Sequence, residues 1–399
     1  MSVRPWGLGG RKREARASAP GGRGGPRGSP LVAWRRRVLL VPLLAAVLGL
    51  VGAAPAQAHV IGTSAKPGDY RTRVLSISPP VPGLTVRVVE AGAKLELINH
   101  SGQTVLVLGY DNEPYLRVTP DGVDENQRSP STWSNRSVVA PKTRPPPGLD
   151  PSAPPQWRHI AGIPVAIWHD HRSHWAGPGD PPAVRADRGR PQVVVPDWRV
   201  PLRVGSQTVV VSGEIDYIPG PSPWPWIAAA VLLCGAVLLA ARVAGGAWRL
   251  PALVTATVLA VAADVIHATG TWLGSTASTM TKLYSNATPF AGWVVAALAV
   301  WRLLRARAGG AADPHDTGNT YLLIAGIFLA VAGALPDIAV LASSQIPEPF
   351  PANLTRTAVT VTLGLGGALV LAVLLAPQPT TRRPVPAPDA GDNQPAATS

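Results

Sequence analysis

Between residues 224 and 376 the chain runs through five apolar stretches, near 224–243, 251–273, 287–304, 321–342 and 357–376. Each approaches the ~20 residues that an α-helix needs to cross the hydrocarbon core of a bilayer. Backbone in lipid must satisfy its own hydrogen bonds, and only helices and closed barrels do so. The pattern therefore predicts an all-α bundle of five transmembrane helices over 221–376, with the lipid bilayer as its first partner. Trp224 and Trp226 stand where an interfacial aromatic belt lies. Arg242 and Arg249 fall in the first loop between spans, Arg302, Arg305 and Arg307 in the third, and Arg382 and Arg383 in the tail. The other two loops carry only Lys282 and Arg356. By the positive-inside tendency this predicts a multi-pass protein of the cytoplasmic membrane, with the domain of residues 59–220 extracytoplasmic and the Pro/Ala-rich tail, 377–399, cytoplasmic and disordered.

The formal net charge of +13 is misleading, because ten of the 36 Lys and Arg lie in residues 1–37 against one acid, Glu14. A nucleic-acid partner would need a basic face on a folded domain, and the remaining charge forms none, so nucleic acid is excluded as a partner. Residues 1–30 have a disordered composition. Arg35, Arg36 and Arg37 then open an apolar run, Val38 to Gly52, followed by Ala56-Gln57-Ala58. This order predicts a signal peptide within 1–58, cleaved after Ala58 to leave His59 as the mature N-terminus. An uncleaved signal anchor is the alternative, but the run is short for a span.

Residues 59–220 read as an exported β-sandwich, Ig-like or cupredoxin-like. Short alternating segments at Leu84–Glu90, Lys94–Asn99, Gln103–Gly109, Gln192–Val195, Trp198–Val204 and Thr208–Tyr217 are separated by turn residues. Pro141 to Pro155 holds seven prolines and reads as a long surface loop. The single cysteine, Cys234, lies in an apolar run, so no disulfide forms within the chain and the exported domain folds on packing alone.

The stretch Trp168–Trp175, W-H-D-H-R-S-H-W, places three of the eight histidines within six residues: His169, His171 and His174. Read as a strand from Ala166 to His171, it sends His169 and His171 to one face and Asp170 to the other, a two-point imidazole clamp for a metal. A turn at Arg172-Ser173 folds His174 back as a third ligand. With Met1 and Met280 the only methionines and Cys234 in a span, thiolate and thioether ligands are absent, so imidazoles would hold copper(II), or zinc as the alternative. His59, through its free amino group and ring, is a possible fourth ligand. The blander reading makes the cluster a polar strand end that hydrogen-bonds its neighbours. Inside the spans, Asp264 and His267 share a helix face at i and i+3, and Asp337 sits in the fourth span. They read either as a proton or metal path or as polar groups that hold helices together. Asp111 and Glu113 favour turn-building roles, and His100 and His159 read as surface residues. No G-x-S-x-G elbow, phosphate loop, H-E-x-x-H or CxxC occurs, so a non-enzymatic role is expected.

Three segments in order, G-Y-D-N-E-P-Y-L-R from Gly109, S-P-S-T-W-S-N-R from Ser129 and W-H-D-H-R-S-H-W from Trp168, resemble a group of exported actinobacterial membrane proteins of uncharacterised activity. The likeness covers roughly residues 59–220 and implies a class and a location only. His59, the sandwich pattern and the attached spans bear a looser likeness to CopC-type copper carriers joined to CopD-type membrane partners. The strand sequences differ from theirs, and five spans are fewer than CopD-type proteins have. That likeness implies metal buffering or transfer at the outer membrane face, with a copper-handling protein as partner. The rival expectations are a non-catalytic envelope interaction module and an accessory subunit of a transporter.

Overall fold

Strand alternation in the first half sorts apolar side chains onto one face of each strand. Leu84 and Val86 of β2 (Leu84–Val89) are buried, while Thr85 between them and Arg87 after them are exposed. In the computed structural model, which describes residues 65–136, 146–175, 177, 179–242, 247–308 and 315–376, ten strands form two antiparallel sheets. The segment in which an export signal is expected, His59, part of the proline-rich loop and residues 377–399 lie outside the described residues.

The larger sheet has the order β1 (Tyr70–Ser78), β10 (Gln207–Tyr217), β9 (Gln192–Val204), β4 (Val105–Leu108), β5 (Pro114–Thr119), β6 (Gly122–Asn126) and β7 (Trp157–Ala161). The smaller one pairs β2 with β3 (Lys94–Asn99) and β3 with β8 (Val165–Trp168). Both inner faces contribute to one core: Leu95, Leu97 and Trp168 from the small sheet pack with Val105, Val118, Leu202 and Ile215 from the large one. Each such side chain, fully buried, contributes about 1.5–3 kcal/mol, and this core takes the place of a disulfide.

Two sequence expectations change. The two segments Gln192–Val195 and Trp198–Val204 are one strand, β9. Pro196 offers no N–H to the ladder, and the register against β10 shifts between Gly213 and Ile215, a bulge that lets the strand continue. The strand expected from Ala166 to His171 stops at Trp168, and His169 and His171 lie beyond it. Two one-turn helices, α1 (Pro130–Ser134) and α2 (Pro182–Ala186), interrupt the strands.

The second half is helical: α3 (Trp224–Arg242), α4 (Arg249–Gly274), a short α5 (Thr279–Ser285), α6 (Ala287–Ala308), α7 (His315–Ile327) and α8 (Ala352–Leu374). The helix of α7 continues through a π segment, Phe328–Ala334, and a 3-10 segment, Leu335–Leu341. Five of these units, counting Thr317–Leu341 as one, are long and apolar enough to cross a membrane, and the chain is a multi-pass membrane protein on that ground. Four of the five have mostly exposed or half-buried surfaces, as lipid-facing helices must, whereas α8 is half buried and packs against α3, α4 and α7.

The β-domain rests on one end of this bundle. Gly68 and Gln345 exchange backbone hydrogen bonds of 3.0 and 2.8 Å. Asp69 accepts the N–H of Ser344 at 2.8 Å. Gly220 passes so close to Ala342 that a Cβ there would lie 1.7 Å from its carbonyl oxygen. On the loop after α4, Thr276 gives its N–H and its hydroxyl to the carboxylate of Glu90 and accepts from Lys94 Nζ at 2.9 Å. Glu90 and Lys94 form a buried ion pair of 3.0 Å at this seam.

Candidate functional site

The three polar segments singled out in the sequence meet at one place, and two buried carboxylates hold them there. Glu113, 2 % exposed, accepts from the hydroxyls of Ser129 and Ser131 and from the backbone N–H groups of Asp111 and Ser131. Burial alone would raise its pKa, but these donors outweigh it and hold the carboxyl below the usual range. Glu113 thus ties the segment that begins at Gly109 to the start of α1, the turn-building role its composition favoured.

Asp170 is fully buried and does the same for the third segment. It accepts Trp168 Nε1–H at 3.0 Å, Arg172 N–H at 3.1 Å, and the Arg172 side chain through Nε and Nη2, each at 2.8 Å. Arg172 carries the tie further, donating to the carbonyls of Leu108 and Gly109 and lying 4.9 Å over the Tyr110 ring. Desolvation disfavours its charge, but the bond to Asp170 more than offsets this and its pKa is raised. Tyr110 closes the circuit: its hydroxyl donates to Asn135 and accepts the N–H of His171 at 2.9 Å. Removing one partner of an ion pair this buried costs about 3–5 kcal/mol, so the Asp170–Arg172 pair fixes the turn it sits in.

The histidines surround that turn. His169 does not share a strand face with His171. Its ring is buried against β3, with Nδ1 2.8 Å from the carbonyl of Ala93. His171 Nε2 lies 3.0 Å from the carbonyl of Ser134, and His174 Nδ1 lies 2.8 Å from the carbonyl of Asp170. A ring nitrogen facing a carbonyl must carry the hydrogen, so each contact fixes a tautomer and turns the other nitrogen into a lone-pair donor. The turn brings the ring centroid of His174 to 5.2 Å from that of His171. His171 Nδ1 is buried without a hydrogen-bond partner. Among the described residues, no three His, Cys, Asp or Glu side chains converge as a metal set, and His59 lies outside those residues. His100 is exposed, and His159 is a surface partner of Asp124 at 3.1 Å.

The second cluster lies in the helices. Asp264 accepts Trp293 Nε1–H at 2.7 Å. His267 stands between two carboxylates, with Nε2 3.0 Å from Asp337 and Nδ1 2.9 Å from Glu348. Glu348 also accepts the hydroxyl of Thr355 at 2.8 Å. Of the intramembrane residues picked out by sequence, His267 and Asp337 are therefore together and Asp264 is one turn away on α4. Glu348 escaped sequence reasoning because it follows the fourth apolar run, between Pro347 and Pro349 in a loop, and only the folded chain buries it. Comparison with family models, with curated proteins and with solved structures finds no match to this chain.

Proposed function

We propose that the chain is a membrane-anchored, exported metal-binding protein that takes copper(II), with zinc as the alternative, and buffers it or hands it to a copper-handling partner at the outer membrane face. The observation that carries this reading is the unpartnered, buried Nδ1 of His171 beside His174. A ligand histidine characteristically gives its other ring N–H to a backbone carbonyl, which orients the ring and raises its basicity. His169, His171 and His174 each have such a carbonyl. Imidazole donors without thiolate suit copper(II) and zinc. An Ig-like or cupredoxin-like identity for the two sheets, and an extracytoplasmic position set by the arginine-rich loops, belong to the same reading.

The test is a copper(II) titration of the full-length chain in lipid nanodiscs, followed by calorimetry and electron paramagnetic resonance. One equivalent should bind with a nitrogen-coordinated spectrum. His171→Ala should weaken binding by at least about 10-fold, the loss typical when even a supporting group of a metal ligand is removed. Unchanged affinity in the His171→Ala/His174→Ala chain removes the ligand assignment. A second reading, a non-catalytic interaction module, draws support from the saturated networks of Glu113 and Asp170, which make a rigid surface with no need of metal. On that reading the same double variant loses thermal stability and metal has no effect on either chain.

A further inference from the structure

The fourth span does not finish as an α-helix. Its turns widen to π geometry over Phe328–Ala334 and tighten to 3-10 geometry over Leu335–Leu341. Pro336 has no N–H and cannot continue an α ladder. Within a membrane such irregular backbone is tolerated where protein or a wet cavity covers it, and π turns occur often at functional sites. The break presents Asp337 to α4, and the loop that follows returns Glu348 to the same place. One imidazole, that of His267, consequently has a carboxylate oxygen at 3.0 Å from one nitrogen and at 2.9 Å from the other.

Charge does not balance here. A fully protonated ring between two carboxylates leaves one negative charge in excess, and Asp264 on the same helix adds another carboxylate. Arg356, on the α8 helix packed against α4, spends its guanidinium on the carbonyls of Val340 and Ser343 and on Asn353. Asp264 takes the neutral N–H of Trp293. Uncompensated charge is costly in a span, and each bound proton lowers it by one. A metal ion fits less well, because the two carboxylates approach different nitrogens of the ring, and among the described residues no three His, Cys, Asp or Glu side chains converge as a metal set.

We propose that His267, Asp337 and Glu348 form a proton-binding site at the end of the bundle that carries the β-domain. Asp337 lies within the last turn or so of the span that ends at Leu341, and its side chain is 41 % exposed against 8 % for His267 and 2 % for Glu348, so the proton enters at Asp337. The carboxyl O–H of Asp337 passes its proton to Nε2 along their hydrogen bond, while Nδ1, 2.9 Å from Glu348 but not aligned with it in a hydrogen bond, gives its own to the Glu348 carboxylate once the two turn toward each other. One O–H and one N–H bond break, one of each forms, and the ring ends as the other tautomer. The site stands apart from the histidines of the β-domain and does not depend on the metal reading.

The test is pH-difference infrared spectroscopy of the full-length chain in lipid nanodiscs. Protonated-carboxyl and imidazole bands should titrate together. Glu348→Gln should delete a carboxyl band, and His267→Gln should move the midpoint of what remains by about one pH unit or more, the scale set by a neighbouring charge. Bands and midpoints unchanged in both variants overturn the proposal. So does stoichiometric zinc or manganese binding that abolishes the titration and is lost with His267→Gln, since that outcome makes this a metal site. If the buried substitutions prevent folding, the more exposed Asp337→Asn decides: a shifted midpoint supports the site and an unmoved one overturns it.

Discussion

Burial disfavours the charged form of the His169 ring and lowers its pKa, although the carbonyl of Ala93 pulls the other way. A histidine whose folded pKa lies below its unfolded value of about 6.5 lends stability that is whole above that pH and is lost as the pH falls below it. Glu113 is also lowered, by its hydroxyl and amide donors against the effect of burial, so its contribution is whole above about pH 4.3 and is lost below. Both groups therefore act in one direction, in two separate windows. Tryptophan-fluorescence melts of the full chain should show the β-domain losing stability from pH 7 to pH 5 and again below about pH 4.3. His169→Gln should flatten the first leg and Glu113→Gln the second; parallel curves for wild type and variants would refute the assignment. At this scale the sequence singled out the stretch but not the residue that shapes it. Three histidines in six residues are conspicuous, but the residue that shapes Trp168–Trp175 is Asp170, whose bonds to Trp168 and Arg172 depend on a turn that strand alternation does not foresee.

Elements were legible in proportion to how far hydrophobicity alone decides them. All five spans stand where apolar runs stood, because a bilayer imposes length and composition together. Strands β2 and β3 were readable because each has one face in the core. Strand β1 was not, since as an edge strand it alternates poorly and exposes Leu75. Strands β5 and β6 were hidden by polar residues that pair across the sheet, Arg117 with Asp124 and Glu125 with Arg158. The packing of α3 on α8 was also unreadable, as it turns on one small residue: a Cβ at Gly364 would lie 2.6 Å from the carbonyl oxygen of Ala230. Between spans, small residues permit the close approach that drives association. Gly364→Val should force α3 and α8 apart and destabilise the bundle by about 1–3 kcal/mol, the usual cost of overpacking. Gly367→Val, at a position with no atom within 4 Å of its Cβ, carries the same change in helix propensity without the clash. A thermal-shift comparison in detergent should separate the two, and equal shifts would show that the contact is not limiting.

The whole molecule depends on pairs that no local pattern announces. Glu90 and Thr276 are 186 residues apart, and Asp69 and Ser344 are 275 apart. The seam they make is polar and half-buried, with Glu90 and Lys94 buried, and it is strained at one point, since Glu90 and Ala91 both hold φ of +52° without being glycine. Non-glycine residues in that region cost of order 1–3 kcal/mol each and persist where their surroundings over-determine them. Here the surroundings include the bundle, through Thr276 and Lys94. Hydrogen bonds to charged groups contribute about 1.5–3 kcal/mol each, so Asp69 and Thr276 together hold enough to couple the stabilities of the two halves. The intact chain in nanodiscs should then unfold in one calorimetric transition. Asp69→Ala combined with Thr276→Val removes seam donors and acceptors while leaving both apolar cores untouched, and should split that transition into two, the β-domain melting first. Two transitions in the unaltered chain would mean that the seam is contact without coupling. One transition in the double variant would mean that the coupling runs through the Gly68–Gln345 backbone pair and the close pass of Gly220 at Ala342 instead.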